Sequence, residues 1–279
     1  MDQPTVGILH PGSMGAAVAA CATANAAAVL WCEAGRSTAS TARAARFGLT
    51  PVPTLPELLD HSDIVISLCP PAAAEGLAHD VSERRFSGVY VEANAINPER
   101  AQRIAALLEP DATVVDGGIV GSPPVGGKTP TLHLSGGNDA TSRIEALFAG
   151  TAVQTAVLGV EVGKASALKL SYASFQKTSR VLVALAVGMA REHGVDQELI
   201  EVASRRTDSY LSEPQYVAKT AARAWRWGPE LEEAADTLEA AGLPPEMLRA
   251  AASTLARWQD AKDDGELTLT DALDRLAQP

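Results

Sequence analysis

Residues 6–9, Val6-Gly7-Ile8-Leu9, form a short apolar run that reads as a buried strand. His10-Pro11-Gly12-Ser13-Met14-Gly15 turns the chain, and an alanine-rich helical stretch follows from Ala16. A strand that leads through a tight turn straight into a helix does not close a hairpin. The chain crosses over and returns as a parallel neighbour. The same rhythm repeats. Strands are expected at 6–9, 28–32, 64–68, 89–92 and 113–116, with helices at 14–25, 40–47, 55–61, 72–81 and 99–108. Pro56 suits the first turn of its helix. Residues 131–135 read as one more strand, ended by Gly136-Gly137. The fold class that follows is an α/β N-terminal domain with a mostly parallel sheet covered on both faces.

The pattern changes near Gly159, and an all-α C-terminal domain is expected beyond it. The domain bounds read from sequence are 1–160 and 161–279. Residues 164–193 carry one long helical period. Leu168, Tyr172, Phe175, Ser179, Leu182, Ala186 and Met189 mark a stripe expected to be buried. Residues 181–190 are apolar all round, which suits a domain centre or a subunit interface. Further helices are expected at 197–204, 214–225, 230–241, 245–260 and 269–276, with Gly242-Leu243-Pro244 as a stop.

Composition narrows the function. The 279 residues carry a formal charge of -11, which argues against nucleic acid and against an anionic membrane surface as partners. No apolar run is long enough to span a bilayer. Asp2 stands where a signal peptide needs basic residues, so a cytoplasmic protein is expected. Cys21, Cys32 and Cys69 are scattered, which points to small buried apolar side chains rather than a disulfide framework or metal site.

The first turn points to a nucleotide. In a G-x-G-x-x-G fingerprint the second glycine lets the backbone approach a pyrophosphate and the third lets helix and strand pack closely. Here His10 takes the first position, and Gly12 and Gly15 keep the other two. The helix N-terminus adds amides and positive dipole for the anion. His10, Pro11, Gly12, Ser13, Met14 and Gly15 are therefore expected to bind the cofactor. The end of the second strand offers Glu33, suited to a ribose hydroxyl, and then Arg36 with Ser37, suited to a 2′-phosphate. Gly35 frees this loop, which favours NADP, with NAD as the alternative. Cys69 and Pro70, followed by Pro71, form a rigid loop at the carboxyl edge, where open α/β sheets bind ligands. Asn94, after the next strand, has the chemistry to bond a carboxamide or a ribose, or to form a turn.

Two features point to catalysis. Residues 116–124, Asp-Gly-Gly-Ile-Val-Gly-Ser-Pro-Pro, read as a flexible loop after a strand that brings backbone amides to a substrate. Gly118, Val120, Gly121 and Ser122 are its expected substrate contacts. Lys169 lies near the start of the long helix with Tyr172, Ala173, Gln176 and Arg180 at or near its face. A lysine in a partly closed cleft can polarise a carbonyl or exchange a proton with an alcohol. Lys177, by contrast, reads as an exposed helix lysine.

These pieces in this order resemble the β-hydroxyacid dehydrogenase superfamily, which includes 3-hydroxyisobutyrate and 6-phosphogluconate dehydrogenases and, more distantly, imine reductases. Residues 7–15 look like the family's opening signature. Gly159, Gly163 and Lys169 are similar to its catalytic helix start, and residues 116–122 match its substrate loop. The His10–Gly15 turn, Cys69-Pro70-Pro71, residues 116–124 and Ala224-Trp225-Arg226-Trp227 resemble a branch with a phosphogluconate-dehydrogenase-like C-terminal domain of unknown function. The resemblance implies an N-terminal Rossmann domain, a helical second domain, an intertwined homodimer built through the C-terminal helices, and an active site in the cleft between domains.

It also implies Lys169 as general acid/base in hydride transfer between nicotinamide and a small hydroxy or carbonyl compound. Gln176 and Trp225 are expected to line the pocket with Tyr172. Two features depart from the family. Val120 stands where a carboxylate-holding serine is usual, and Ala173 where an asparagine is usual. Two other readings stay open: C=N reduction with Tyr172 as proton donor, and cofactor binding without turnover.

Overall fold

The computed structural model describes residues 3–192, 194–205, 213–240 and 244–278. The chain divides into two compact units, Met1–Lys169 and Leu170–Pro279. The division falls nine residues later than the sequence suggested, inside one helix rather than before it.

The first unit is built on an eight-stranded sheet ordered β3-β2-β1-β4-β5-β6-β7-β8. Its strands are β1 (Thr5–Ile8), β2 (Ala28–Cys32), β3 (Thr50–Val52), β4 (Ile64–Ser67), β5 (Val89–Glu92), β6 (Thr113–Val120), β7 (Thr131–Gly136) and β8 (Gln154–Val157). All neighbours are parallel except β6 and β7. Six helices connect them: α1 (Ser13–Ala22), α2 (Thr38–Arg46), α3 (Leu55–Asp60), α4 (Ala74–Glu83), α5 (Pro98–Leu108) and α6 (Asn138–Phe148). Val6, Ile8, Val29, Ile64, Val91 and Val115 face one buried layer; Leu30, Val65, Tyr90 and Val114 face the other. Burial on both faces explains why the central strands read as unbroken apolar runs.

The strand order reverses between β1 and β4, so the turns after these two strands diverge and leave a crevice at their carboxyl ends. His10–Gly15 and Cys69–Pro71 are those turns. Gly15 is required there by space. A Cβ on it would stand 2.3 Å from the His10 carbonyl oxygen.

Three short elements escaped the sequence reading: β3, α6 and β8. β3 holds Pro51 and lies at the sheet edge, where a missing amide costs no ladder bond. A larger correction concerns Asp116–Ser122. β6 does not stop at Asp116 but continues to Val120, antiparallel to β7, with Gly118 opposite His133. The glycines read as flexibility, but they serve close packing. A Cβ on Gly117 would lie 3.2 Å from the Ala93 Cβ, and one on Gly118 would lie 2.5 Å from the Ala165 carbonyl oxygen.

The second unit is helical among the described residues. It contains most of α7 (Lys164–Glu192), then α8 (Asp196–Ser204), α9 (Tyr216–Ala240), α10 (Glu246–Ala256) and α11 (Leu269–Ala277). The two helices expected at 214–225 and 230–241 are one. Pro229 sits inside α9 without ending it. Helix α9 buries Val217, Ala221, Ala224, Trp227, Leu231 and Ala235 along its length, and this continuous packing outweighs the local cost of a proline. Thr268 and Asp271 close a reciprocal capping box on α11. Of the expected stop signal, Gly242 and Leu243 lie outside the described residues.

Helix α7 also corrects two readings. Leu168, Tyr172 and Phe175 are exposed, Phe175 by 68%, whereas Ala165, Leu170, Ala173 and Lys177 are buried. The apolar stripe therefore faces outward over its first half. Leu182, Ala186 and Met189, its later members, lie outside the described side chains, as does much of 181–190, although Val181, Val183, Val187 and Ala190 are buried. Lys177 is not an exposed lysine. It is 4% accessible, forms an ion pair with Glu230 and lies 5.8 Å from the centre of the Trp227 ring. A periodicity of apolar residues does not register a buried lysine whose charge is compensated by a partner distant in sequence.

The start of α7 is tied to the sheet by Asp116. Its Oδ2 accepts from the Gly163 amide at 2.9 Å, the Ser166 amide at 3.0 Å and the Ser135 hydroxyl at 2.9 Å. Its Oδ1 accepts from the Ser166 hydroxyl at 2.6 Å. A carboxylate from another element thus caps the helix and faces its positive end. Replacing Asp116 with Ala strands these buried donors. An unfolding free energy lower by about 3 kcal/mol is expected in denaturant titration; a change near zero overturns this anchoring role.

Candidate functional site

Four chain segments meet at the carboxyl edge of the sheet within the first unit. At β1, Gly12 N-caps α1 without a side-chain cap, and no acidic residue occupies the first turn of that helix. Its leading amides keep their positive field for an anion. Arg36 Nη2 donates to the Leu9 carbonyl at 2.7 Å, and Arg43 Nη1 donates to the Pro11 carbonyl at 2.9 Å. Two guanidinium groups therefore flank the glycine turn. Burial first, and then Arg36 and Arg43, holds the His10 pKa below its ordinary value. Glu33 is exposed. The Ser37 hydroxyl accepts from the Ser40 amide and caps α2.

At β4 and β5 the polar groups are internal. Asn94 is 2% accessible. Its Oδ1 accepts from the Cys69 amide at 2.5 Å and its Nδ2 donates to the Ser67 hydroxyl at 2.9 Å. Asn94 thus ties the two strand ends together and keeps one Nδ2 hydrogen beyond these bonds. Beneath it, Glu92 is wholly buried and its Oε1 accepts from the Asn94 amide at 3.1 Å. Burial is the main cause that raises the Glu92 pKa to about 8, and nearby Asp116 adds to it. The Cys69 thiol is pushed up to about 11, chiefly by burial and next by Glu92, so it stays protonated and unreactive. Cys32 is buried as expected, but Cys21 and Cys69 are only half-buried. Pro70 begins a short 3-10 turn over 71–73, and Arg100 Nη2 donates to the Pro71 carbonyl at 2.9 Å.

At β6 the sheet meets α7. A Cβ on Gly118 would lie 3.1 Å from the Lys169 Cβ, so Lys169 leaves the helix directly beside this strand. Lys169 is half-buried. Ala93, next to Asn94, packs on Gly117, one residue before. The expected residues Gly12, Asn94, Gly118 and Lys169 are thus carried by segments of one unit. Val120 is half-buried at the end of β6, and Gly121 and Ser122 are exposed in the connection to β7. Only these last two belong to a loop.

Tyr172, Gln176 and Trp225 belong to the second unit. Tyr172 is 43% exposed. The Trp225 indole N–H donates to Asp263 Oδ1 at 3.2 Å, and Lys262 lies 4.2 Å from its ring centre. Arg180 pairs with Glu213 at 3.1 Å and stacks on Tyr216. Among the described residues no cluster of metal-ligating side chains occurs, and no helix is long and apolar enough to cross a membrane.

Sequence reasoning missed Asp116 as a helix cap, Glu92 as a buried acid, and Arg43 beside the glycine turn. A signal for the first two was present. Each is a lone acid directly after a run of apolar strand residues, a place where charge is rare unless partners await it.

Residues 190–258 match the family model described as "Domain of unknown function (DUF1932)". An uncharacterized 28.5 kDa protein from Methanothermus fervidus is 28% identical over 171 residues, 61% of this chain and 65% of that protein, just under two thirds of its length. Mycobacterium tuberculosis 3-hydroxyisobutyrate dehydrogenase, solved with L-serine, superposes with a TM-score of 0.77 at 19% identity, covering 100% of each chain. Aspergillus terreus reductive aminase, solved with NADPH and ethyl levulinate, gives 0.58 at 18% identity, covering 98% of this chain and 99% of that one. The chain therefore has the Rossmann-type fold of the hydroxyacid dehydrogenases, and residues 190–258 in its second unit are similar to the DUF1932 family model.

The buried acid gives a pH test of this site. Folding raises the Glu92 pKa from 4.5 to about 8, so the folded chain holds a proton that the unfolded chain releases. The stability this proton contributes is complete below about pH 4.5 and is lost as pH rises through about 8. The unfolding free energy of wild type minus that of Glu92→Gln should fall across that window in denaturant titrations. A difference that stays flat with pH removes Glu92 from this role.

Proposed function

We propose that the chain is an NAD(P)-dependent oxidoreductase, preferring NADP, that interconverts a small hydroxy compound and its carbonyl form. One observation carries the reading: the Asp116-capped helix delivers Lys169 beside Gly118, in the same unit as an uncapped glycine turn flanked by two arginines. The residues present fit a dinucleotide. The α1 amides and Gly12 would meet its pyrophosphate, Arg36 and Ser37 its 2′-phosphate, and the Cys69–Asn94 edge its nicotinamide half. The bound cofactor supplies or accepts the hydride.

In the reducing direction Lys169 Nζ donates a proton to the carbonyl oxygen while hydride reaches the carbon; in the oxidising direction it takes that proton back. Asn94 acts mainly by holding the Cys69 loop in place, since its side chain already bonds Cys69 and Ser67. The likeness to hydroxyacid dehydrogenases supports this chemistry. The likeness to a reductive aminase supports a second reading, C=N reduction with Tyr172 as proton donor, because Tyr172 presents an accessible side chain.

Replacing Lys169 with Ala should lower turnover of hydroxy or carbonyl substrates by at least about a hundredfold while NADPH still binds. Undiminished turnover in that variant removes Lys169 from the chemistry. A panel of hydroxy acids, aldehydes and cyclic imines separates the two enzymatic readings. Tight cofactor binding without hydride transfer to any of them favours a non-catalytic role.

The exposed side chains of Leu168 and Phe175 are proposed to pack against a second copy of the chain. Light scattering should give a dimer for the wild type and a smaller particle for Phe175→Glu. A monomeric wild type rules this interface out.

A further inference from the structure

His10 stands where the dinucleotide fingerprint carries its first glycine, and its ring is not loose. Arg36 Nη1 lies 3.1 Å from His10 Nδ1. A guanidinium only donates, so Nδ1 accepts and the neutral ring carries its proton on Nε2. The same guanidinium donates to the Leu9 carbonyl at 2.7 Å through Nη2 and to the Cys32 carbonyl at 3.4 Å through Nε. Arg36 is thus fixed to the ends of β1 and β2 and to the His10 ring together. The free edge of that ring lies over Gly12: a Cβ there would be 3.1 Å from His10 Cδ2 and 3.4 Å from Nε2. The turn between Gly12 and α1 is where a pyrophosphate would sit.

We infer that His10 and Arg36 form one recognition unit, in which His10 sets the discrimination between a 2′-phosphorylated and an unphosphorylated dinucleotide by holding the Arg36 guanidinium in place. The inference rests on the dinucleotide-binding reading above. Each partner performs two tasks. Arg36 fixes the His10 tautomer, which turns an N–H toward the pyrophosphate position. His10 holds Arg36 at the crevice with N–H groups left over for a 2′-phosphate, since a guanidinium carries five and three are engaged here. Gly35, at φ +71, lets the loop bend back so that Arg36 reaches β1. A glycine at position 10 would leave Arg36 tied only to two carbonyls. Its unused N–H groups would then be less well aimed, and the ordering cost would fall on binding.

The test measures binding of NADPH and NADH to the full chain and to His10→Gly, Arg36→Ala and the double variant. The wild type should favour NADPH. Each single variant should weaken NADPH binding by about tenfold and NADH binding by a smaller factor, the part carried by the His10 N–H at the shared pyrophosphate. The double variant should be no weaker than the poorer single one, because the two residues act as a unit. Losses that multiply, or a His10→Gly variant with unchanged preference, overturn the inference.

Ring nitrogen-15 spectra give a reading independent of any ligand. His10 should show the Nε2-protonated neutral tautomer in the wild type and lose that bias in Arg36→Ala. A wild type that binds both nucleotides equally ends this inference and leaves the dinucleotide reading standing. A wild type that binds neither ends both.

Discussion

One buried carboxylate joins the two kinds of structure in this chain. Asp116 projects from β6 and accepts hydrogen bonds from Gly163, Ser166 and Ser135. A charge this deeply buried is tolerated only when its acceptor sites are filled, and here they are filled by the leading turn of α7 and by β7. The bond set fixes where α7 begins, and through 3.6-residue geometry it fixes where Lys169 emerges. Gly118 answers from the other side, since the absence of a Cβ is what lets the helix approach the strand. Anchor and gap act together to set the lysine beside the strand.

The rest of the sheet edge follows the same logic. Polar groups at strand ends are spent on one another before any are offered to a ligand. Asn94 bonds Cys69 and Ser67, Glu92 bonds Asn94, and Arg36 bonds Leu9 and His10. Such a network costs adaptability and returns preorganisation, because groups already held need no ordering when a ligand arrives. It also places an acid with a pKa raised to about 8 beneath the nicotinamide edge of the proposed site.

Much of the first unit was legible from sequence. The central strands at 28–32 and 89–92 coincide with the observed ones, because strands buried on both faces leave continuous apolar runs. The glycine turn was legible because its steric demand is local. What failed was non-local. Gly117 and Gly118 looked like part of a flexible loop, yet they pack against Ala93 and α7, residues distant in the chain. Two helices were expected at 214–225 and 230–241, yet burial on both sides of Pro229 carries α9 through as one. Lys177 looked like a surface charge, yet it pairs with Glu230. The outward stripe on α7 was read as core because periodicity records which face is apolar and not what covers it.

From its residues alone this chain determined a parallel α/β unit, a helical unit after it, and a glycine turn suited to a phosphate. Those properties depend on near neighbours and on the alternation of apolar and polar positions. Only the tertiary structure decided that Asp116 caps a helix, that Arg36 grips His10, and that β6 runs on past its glycines. Each of those outcomes is a contact between segments far apart in sequence, and no local pattern encodes which partner will arrive.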